Sequence, residues 1–582
     1  MKISQILIML LLITGSLFAQ VTCYVDPLNG NNSNPGTITQ PFKTIAHADT
    51  IVGNAGGYIY LRGGTYSYST TLTLSKKATA LSTIKIWAYN NEVPIIDFAS
   101  ETGTSSEGIK LSGDYYHLKG LEVMHAAHNG IACTGHHNII EACKIHSNRN
   151  SGFGMGGGTN SGAYPSNNLI LNCDSYLNYD PPSGGGNADG FSPKWYIGKG
   201  NVFKGCRAWR NSDDGFDLWM ADSTIVIDSC FAYQNGVNSW GGTLSGNNGN
   251  GFKLGGSYVA TPHIVMNCVS FDNAGDTGRG FDENNDTAGQ TLYNCVAYRN
   301  FGDNYHFTNN PITGEHIIKN CISYIGNVAI SNAILSNNSW PSLTPTTADF
   351  VSIDTSLATA PRQANGNLAD NGFFRLKTGS KFIDAGVNVG IPFMGSAPDI
   401  GAFEYLITNL SLTALIQSRT NSSTGQMIPD TITCVIRNGS VPFGAVDSVK
   451  VPLSTNGQGT AVLSKVLLNT NYYIVLNHRN SIETWSNIVT FSSSNPTFDF
   501  TTSQSKAYGN NLVQAGSEWC LYSGDVNQDG FVTSNDYTGI DNDASSGGYH
   551  LVNDLNGDGF VTSNDFTCID NNSSAGINKQ VP

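Results

Sequence analysis

Four aspartates and one lysine, spread over 65 residues of a weakly charged chain, are the side chains best suited to chemistry. They lie in the phrases NADGFSPK, NSDDGFDLW and GNGFKLGG. Carboxylates held close together repel one another, and a hard dication such as Ca²⁺ relieves that repulsion by binding their oxygens. A lysine beside such a site is a candidate general base. The predicted calcium ligands are Asp189, Asp213, Asp214 and Asp217, and the predicted base is Lys253.

Each of these residues also has a purely structural explanation. Asp-Gly pairs are ordinary turn residues, which would account for NADG by itself, and a surface lysine is usually solvated or paired. Three acidic residues in NSDDGFD, followed by a lysine in a segment of low charge, favour the metal site. A bound cation would lower the pKa of Lys253, whereas Asp217 and Asp282 would raise it, and the sequence leaves that balance open.

A repeated cysteine phrase predicts the elements that position these side chains. Its copies follow apolar, β-rich runs such as TIVID and HIVMN, at intervals of 24 to 38 residues. Repeats of this length, separated by Gly and Asn turns, predict an all-β fold, a right-handed parallel β-helix. The cysteines should stack inside it as thiols, because disulfides between neighbouring coils strain the bond geometry; their connectivity stays open. The copies begin at Cys143, Cys173, Cys206, Cys230, Cys268, Cys295 and Cys321.

A Gly-Phe phrase places the charged residues on one face of this predicted solenoid. Each phenylalanine comes 14 to 16 residues before the next cysteine of the repeat. If the ring points inward, strand alternation sends the following residue outward. The outward residues are then Ser192, Asp217, Lys253 and Asp282, which makes Asp282 a predicted neighbour of Lys253.

Net charge and the start of the chain narrow the functional class. A net charge of −14 argues against a nucleic-acid partner, and an acidic polysaccharide would need a cation between itself and the protein. Residues 1–20 combine a lysine, a short apolar run and Ala19, as in a cleaved signal peptide, although Cys23 allows a lipid anchor as the alternative. No other stretch is apolar for long enough to span a membrane. A secreted monomer is expected.

Residues 406–518 have a different pattern from the repeats before them. Alternating runs such as DTITCVIRN and YYIVLNH, joined by polar turns, predict an immunoglobulin-like β-sandwich. Such a module could bind carbohydrate or act as a spacer. The phrase HRNSIETW at 478–485 is distinctive, but we assign no chemistry to it.

Residues 519–572 contain a duplication, followed by a tail at 573–582. GDVNQDGFVTSNDYTGIDND and NDLNGDGFVTSNDFTCIDNN are offset by 29 residues, and both match a calcium-binding loop of the EF-hand type. Thr533 and Thr562 occupy the ninth positions. The predicted ligands are Asp525, Asn527, Asp529 and Asp536 in the first loop and Asp554, Asn556, Asp558 and Asp565 in the second.

Residues 25 to 405 resemble the pectate lyases of polysaccharide lyase family nine. The resemblance rests on YVDPLNGNNSNPGTITQPFKTI, NADGFSPK, GCRAWRNSDDGFDLW, GNGFKLGG, IDAGVNVG and PDIGAFEY. It implies a catalytic β-helix at 21–405 in which the four aspartates bind Ca²⁺. It further implies that Lys253 abstracts a proton in β-elimination on 4-linked galacturonan. Because cationic side chains pair with sugar carboxylates, the candidate substrate-binding residues are Lys194, Arg207, Arg210 and Arg279.

Other functions remain open for the repeat region. A rhamnogalacturonan lyase would share the fold and the site. A metal-independent pectin hydrolase could use Asp213 and Asp214 as its acid and base. A non-catalytic carbohydrate-binding solenoid would use calcium for structure only.

The C-terminal duplication resembles the dockerin module. This resemblance implies a cohesin-bearing scaffold as partner, and a calcium-stabilised cap or cell-surface anchor is the alternative. Only short segments, DYTGID and DFTCID, are expected to follow the two loops, where a longer recognition helix is usual.

Overall fold

The computed structural model describes residues 20–156, 164–241, 244–363, 365–405, 407–466, 470–546 and 553–582. The predicted signal peptide at 1–20 lies outside this part of the chain, apart from Gln20. The described chain forms two compact units. One comprises residues up to 346 with 358–369 and 381–403, and the other comprises 347–357, 370–380 and 404–582. Residues 347–357, 370–380 and 404–405 of the predicted β-helix region therefore group with the second unit.

Three parallel sheets wind through the first unit, which confirms the predicted right-handed parallel β-helix. The strands of sheet one are Val21–Val25, Gly57–Leu61, Ile84–Ala88, Tyr116–Lys119, Ile139–Glu141, Leu169–Leu171, Asn201–Lys204, Ile225–Asp228, Ile264–Met266, Thr291–Tyr293, His316–Lys319 and Ala333–Ser336. Those of sheet two are Leu72–Leu74, Ile109–Leu111, Ile131–Cys133, Phe153–Met155, Phe191–Pro193, Phe216–Asp217, Phe252–Lys253, Phe281–Asp282, Asp303–Phe307 and Asn327–Ile330. Those of sheet three are Gly64–Ser67, Pro94–Asp97, Glu122–Met124, Lys144–His146, Asp174–Tyr176, Arg207–Trp209, Phe231–Tyr233, Val269–Phe271, Val296–Tyr298 and Ile322–Tyr324.

Columns of like side chains fill the core of the solenoid. The rings of Phe191, Phe216, Phe252 and Phe281 stack with centroids 4.8 to 4.9 Å apart, so the predicted inward direction of the Gly-Phe phrase is confirmed. All twelve cysteines are free thiols. Those of the repeat are buried one above another, and the Cys206 backbone N–H donates to the sulfur of the next coil at 3.3 Å. The thiol column is therefore a packing element, as predicted.

An asparagine ladder, which sequence analysis overlooked, joins the coils at the turn between sheets three and two. From Asn178 onward, each amide oxygen accepts from the side-chain NH₂ of the preceding member, as Asn235 does from Asn211 at 3.0 Å. Every member is buried, so the ladder satisfies polar groups that would otherwise be costly inside the protein. Six of its members stand five residues after the cysteines of the repeat. The ladder comprises Asn148, Asn178, Asn211, Asn235, Asn273, Asn300 and Asn304.

Helices are few in the described residues. Ile45–Val52 begins at Thr44, whose hydroxyl accepts from the His47 N–H, and its apolar side packs on the first coil. Within these ranges we find no helix that is both long and apolar enough to cross a membrane. Short 3₁₀ turns occur at Gly53–Ala55, Pro181–Ser183, Thr347–Asp349, Thr355–Thr359, Gln417–Arg419, Gln504–Lys506, Tyr508–Asn510 and Ser534–Asp536.

The second unit contains the predicted β-sandwich. Side chains from both of its main sheets form one apolar core, because each strand turns alternate residues toward the other sheet. One sheet comprises Gln458–Leu463, Thr408–Thr413 and Thr497–Asp499; the other comprises Ala445–Leu453, Asp430–Asn438, Asn471–Asn477, Thr484–Trp485 and Val489–Thr490. Two small hairpins pair Thr420–Asn421 with Gln426–Met427 and Val513–Ala515 with Glu518–Cys520.

Each loop of the C-terminal duplication leads into a helix. The helices span Tyr537–Ser546 and Ser563–Ser574, ten and twelve residues, so the expectation that only short segments follow the loops was wrong. Thr533 and Thr562 explain the difference, because each forms a capping box that starts helical structure. The polar residues that follow continue the helix beyond the aspartate of each loop.

Candidate metal centre and adjoining cleft

Neighbouring strands of sheet two bring the predicted site residues together. Asp217 and Lys253 are register partners on adjacent strands, as the Gly-Phe alignment predicts. Asp189 and Asp214 precede their strands by one glycine, and the Asp214 N–H donates to Asp189 Oδ1 at 3.2 Å. Residues from distant parts of the sequence therefore share one surface of the solenoid.

The four predicted aspartate ligands form a single buried cluster. One carboxylate oxygen from each lies within 4.8 Å of those from the others, and none of the four residues is more than 3% exposed. Backbone N–H groups fix three of the carboxylates: Asn248 donates to Asp213 at 2.7 Å, Asn250 to Asp214 at 2.6 Å and Trp219 to Asp217 at 2.9 Å.

The free oxygens of this cluster suit a hard cation. Asp214 Oδ2 is buried without a hydrogen bond, although Lys253 Nζ is 3.0 Å away. An oxygen-only donor set of this kind is the one that calcium prefers. Four carboxylates crowded together in the interior also repel one another strongly unless cations balance them. The residues present therefore fit the predicted calcium site.

Burial and mutual repulsion shift the pKa values of the cluster. Burial and the charge of Asp189 raise the pKa of Asp213 to about 7. Burial and the adjacent Asp213 raise the pKa of Asp214 well above its ordinary value. Although burial favours the neutral form of Asp217, the ammonium groups of Lys194 and Lys253 lower its pKa. Protons therefore compete for this site at neutral pH.

Two lysines supply the positive charge inside the cluster. Lys253 Nζ lies 3.0 Å from Asp214 Oδ2 and 3.3 Å from Asp217 Oδ2, and it donates to Asn248 Oδ1 at 2.9 Å. Although burial disfavours its charged form, Asp214 and Asp217 raise its pKa. Lys194, predicted as a substrate-binding residue, reaches the same cluster.

The other cations predicted to bind substrate lie in different surroundings. Arg279 is a quarter exposed and pairs with Asp282 at 3.0 Å, on the strand beside Lys253. Asp282 is the register partner of Lys253, as predicted, but its carboxylate is held by this arginine. Arg210 is exposed, and its Nε donates to Gln234 at 3.0 Å.

Arg207 requires a correction. Its side chain is buried on sheet three, where it forms a bidentate ion pair with Asp174. Nε and Nη2 of Arg207 each donate to one carboxylate oxygen of Asp174 at 2.8 Å. It also donates to the backbone carbonyls of Ala358 and Ala360. The cysteine repeat cannot reveal that a distant segment covers this part of sheet three. Arg207 therefore holds the fold together and is withdrawn from the substrate-binding set.

A cleft of about 890 Å³ runs over sheet two beside the cluster, and it is lined by Ser151 and Lys194, which both contact the cluster. The outward positions on three neighbouring strands form its floor, and they carry only small residues: Ala132, Gly154 and Ser192. Because these side chains are short, they leave the space above the sheet open. Lys110 lies at the far end of this row, and the half-exposed ring of Trp195 lines the cleft nearer to the cluster. Four strand spacings separate Lys110 from Asp217, roughly 19 Å. The cleft is long enough to hold several sugar residues.

Three polar partners of the cluster were missed by sequence reasoning. Ser151 donates its hydroxyl to Asp189 Oδ2 at 3.1 Å from 38 residues upstream, and no pattern links the two in sequence. Asn248 and Asn250 stand within five residues of Lys253 in the phrase GNNGNG. That run of turn residues was the available signal for a loop folding over the site.

The two C-terminal loops share the turn at their sixth positions. Gly530 and Gly559, at the sixth positions, adopt φ values of 89° and 95° and donate to the first aspartate of their loops. Asp525 Oδ1 is buried without a hydrogen bond, and burial with the nearby Asp536 raises the pKa of Asp525 to about 6. These oxygens fit a cation as well.

The phrase HRNSIETW contacts the first of these loops, because Gln528 Nε2 donates to the Arg479 backbone carbonyl at 3.1 Å. Asp430 pairs with Arg419 and Arg479, both at 2.8 Å, and with His478 at 3.3 Å. The Arg419 guanidinium donates to the backbone carbonyl of Asp554, the first residue of the second loop, at 3.1 Å. The distinctive phrase therefore has a structural role within the second unit.

Comparison with known proteins relates both regions to characterised families. Residues 23–329 match the family described as Pel9A-like, right handed beta helix region, and residues 523–574 match the dockerin type I domain. The chain is 40% identical over 406 residues to pectate lyase L of Dickeya chrysanthemi, covering 67% of this chain and 92% of that protein. It is 32% identical over 393 residues to pectate lyase PEL9 of Emericella nidulans, covering 60% and 91%.

Two solved structures resemble the first unit. The structure of pectate lyase Pel9A shares 39% identity with a TM-score of 0.61, covering 66% of this chain and 97% of that chain. A structure of a rhamnogalacturonan lyase shares 28% identity with a TM-score of 0.52, covering 61% and 96%. The fold of the first unit is therefore similar to that of a pectate lyase and to that of a rhamnogalacturonan lyase.

Proposed function

The chain belongs to the Pel9A-like right-handed β-helix family and is a polysaccharide lyase; on that premise we propose that it is a secreted, calcium-dependent pectate lyase. Its substrate is 4-linked galacturonan, which it cleaves by β-elimination. The observation that carries this proposal is the cluster of four buried aspartates with Lys253 at its edge. The net charge of −14 is consistent with this proposal, because a metal ion then lies between the anionic protein and the anionic polysaccharide.

Asp189, Asp213, Asp214 and Asp217 would hold the ion. Bound calcium would neutralise the uronate carboxylate and stabilise the negative charge that develops beside it. The backbone N–H groups that fix Asp213, Asp214 and Asp217 keep their carboxylates in place before the metal arrives. Such preorganisation avoids reordering the ligands during each turnover.

Lys253 would accept the C5 proton, and the C4 oxygen would then leave to give a 4,5-unsaturated sugar. To accept a proton the amine must be neutral, and Asp214 and Asp217 favour its charged form in the metal-free protein. Lys253 can therefore act as a base only when another cation engages those carboxylates. Asn248 keeps the amine in place through a neutral contact at 2.9 Å. We assign no separate general acid.

Cations around the cluster would hold neighbouring sugar carboxylates. Arg279 stands two residues before the strand Phe281–Asp282, which pairs with the strand of Lys253, and its guanidinium remains partly exposed while paired with Asp282. Arg210 is exposed in the turn between sheets three and two. We retain both, with Lys194, as substrate-binding candidates, because planar guanidinium and ammonium groups suit uronate carboxylates.

The test is the ultraviolet absorbance of the unsaturated product formed from polygalacturonate. Wild-type protein should give a rise that a chelator abolishes and added calcium restores. Lys253→Ala should lower kcat about 10²- to 10⁴-fold, the usual contribution of a general base. Lys144→Ala, which changes an exposed lysine on sheet three, serves as the control and should behave as wild type. A wild-type protein without any calcium-dependent rise would contradict the proposal.

A rhamnogalacturonan lyase is the second candidate, supported by the likeness to the structure with that name. Activity on rhamnogalacturonan but not on polygalacturonate would favour it. The hydrolase alternative predicts new reducing ends without ultraviolet absorbance and without need of calcium. A non-catalytic solenoid predicts neither product, with sugar binding that survives Lys253→Ala.

We further propose that the C-terminal duplication binds a cohesin outside the cell. The match to a dockerin type I domain and the two similar loop–helix units support this. Asp525, Asn527, Asp529 and Asp536, with Asp554, Asn556, Asp558 and Asp565, would hold two calcium ions. Capture by immobilised cohesins that is lost on chelation would support the proposal. A module that folds with calcium but binds no cohesin would indicate a cap or an anchor instead.

A further inference from the structure

The ammonium group of Lys194 contacts the aspartate cluster, although the residue also lines the adjoining cleft. Its Nζ is 2.8 Å from Asp189 Oδ2 and 2.5 Å from Asp217 Oδ2, and the side chain is 14% exposed. Its backbone follows the strand Phe191–Pro193, and its N–H donates to the Met155 carbonyl at 2.9 Å. The position of the ammonium group is therefore determined by the flexible side chain and the two carboxylates.

The oxygens that hold Lys194 are among those that would bind the metal. Asp189 and Asp217 both belong to the group of four carboxylates within 4.8 Å. Calcium binds carboxylate oxygens at about 2.3 to 2.6 Å. An ammonium group on the same oxygens would repel the dication across a few ångströms of buried protein. The two cations compete for one place.

Lys253 differs from Lys194 in having a neutral partner. Its Nζ donates to Asn248 Oδ1 at 2.9 Å, in addition to its contacts with Asp214 and Asp217. In the described part of the chain, the polar contacts of Lys194 Nζ are the two carboxylates alone. Lys253 can therefore stay when the carboxylates bind another cation, whereas both contacts of Lys194 among the described residues are with carboxylates of the cluster.

The adjoining cleft offers room for the released side chain. Lys194 itself lines it, next to the outward position of Ser192. The floor there is low, and Lys110 is the cation at the opposite end. A lysine turned into this space would meet the acidic polymer beside the reacting sugar.

We propose that Lys194 is an internal counter-ion that calcium displaces from the aspartate cluster into the cleft, where its ammonium group then binds a carboxylate of the polysaccharide. The inference rests on the calcium site of the proposed function and assigns Lys194 its part in substrate binding. Without metal, the ammonium group is held by the carboxylates of the cluster and is not available to the polysaccharide. With metal, the same side chain becomes a sugar-binding group, so calcium prepares the cleft as well as the reacting centre.

Residue-resolved acetylation of wild-type protein, with and without calcium, tests the displacement. Peptide mass spectrometry should show Lys194 protected without calcium, like Lys253, and labelled with calcium to the extent of exposed Lys110. Lys253 should remain protected in both states. Continued protection of Lys194 while calcium occupies the cluster would overturn the displacement. Occupancy is measured by calorimetry against Asp189→Asn, with the C-terminal loops silenced by Asp525→Ala and Asp554→Ala.

The same measurements separate this inference from the proposed function. If calorimetry detects no calcium at the cluster, both fall; if calcium binds and Lys194 stays protected, only the exchange falls. At saturating calcium, Lys194→Gln should raise KM for polygalacturonate about tenfold and leave kcat nearly unchanged, as expected for one lost charged contact. An unchanged KM would overturn the substrate-binding part. Lys144→Gln is the matched control.

Discussion

At the scale of single residues, the site depends on how charge is balanced in a small buried volume. Four carboxylates and two ammonium groups share a space from which water is largely excluded. Each group shifts the pKa values of the others, because interactions in the interior are weakly screened. Occupation of the site by metal should consequently depend on pH.

Calcium affinity of the cluster should fall as the solution becomes acidic. Asp213 has a pKa raised to about 7 in the metal-free protein, so below that pH a proton must leave before the metal binds. Calcium affinity therefore falls as the pH falls, because calcium binds the deprotonated carboxylate and a proton competes with it. From about pH 8 to about pH 6 the affinity should drop about tenfold. Calorimetry on protein with Asp525→Ala and Asp554→Ala measures the cluster alone, and a constant affinity across this range would refute the expectation.

At the scale of elements, repeated columns hold each coil in register with the next. The phenylalanine stack fixes the inward positions of sheet two, and the asparagine ladder fixes the turn that leads to the aspartates. Asn211 stands two residues before Asp213. The ladder therefore supports the metal site as well as the fold.

Asn235→Ala should destabilise the β-helix by about 1 to 3 kcal/mol, because the buried amide and backbone donors of Asn211 would lose their acceptor. Denaturant unfolding followed by tryptophan fluorescence measures the change. Asn310→Ala, at an exposed position, is the control and should leave the unfolding midpoint where it is. Equal stability of the two variants would show that the ladder contributes little.

The β-helix could be predicted from the sequence because its columns repeat with the strand period. Phe191 and Phe216 fix which neighbours face outward, and this places Asp217 beside Lys253. The ladder has an equally regular signal, an asparagine five residues after each repeat cysteine from Cys143 to Cys295. The position of Lys194 could not be predicted, since a long flexible side chain can reach either cluster or cleft. The burial of Arg207 could not be predicted either, because the segment that covers it lies outside the repeat. Ala358, which accepts from Arg207, is 151 residues away in sequence.

At the scale of the whole molecule, calcium is expected to act in two places on one chain. In the first unit it would complete a reacting centre, and in the second it would order two loops. Within the second unit, Arg419 links the sandwich to the second loop through Asp430 and the Asp554 carbonyl. Ile482 of the sandwich also packs among Val532, Leu555 and other apolar side chains of the loop–helix pair.

Sandwich and loops should consequently unfold together when calcium is present. Arg419→Ala leaves the Asp430 carboxylate with fewer partners and should cost about 3 to 5 kcal/mol, the usual result of breaking a buried ion pair. Scanning calorimetry of the full chain should then resolve separate transitions for the two parts. Lys450→Ala, exposed on the same sandwich, is the control. A single unchanged transition in Arg419→Ala would contradict the coupling.

The stacked columns restrict how this enzyme can change over evolutionary time. A column tolerates longer turns, as the unequal intervals of the cysteine repeat demonstrate, and one irregularity between Asp303 and Tyr305. A slip of a whole strand by one residue would instead turn its inward side chains outward. The groove can therefore lengthen only by whole coils, each adding one strand spacing of about 4.8 Å. A duplicated coil that carries its own phenylalanine, cysteine and asparagine would extend the grip on a polymer and leave the reacting centre untouched. Change in this architecture proceeds in discrete steps of nearly constant size.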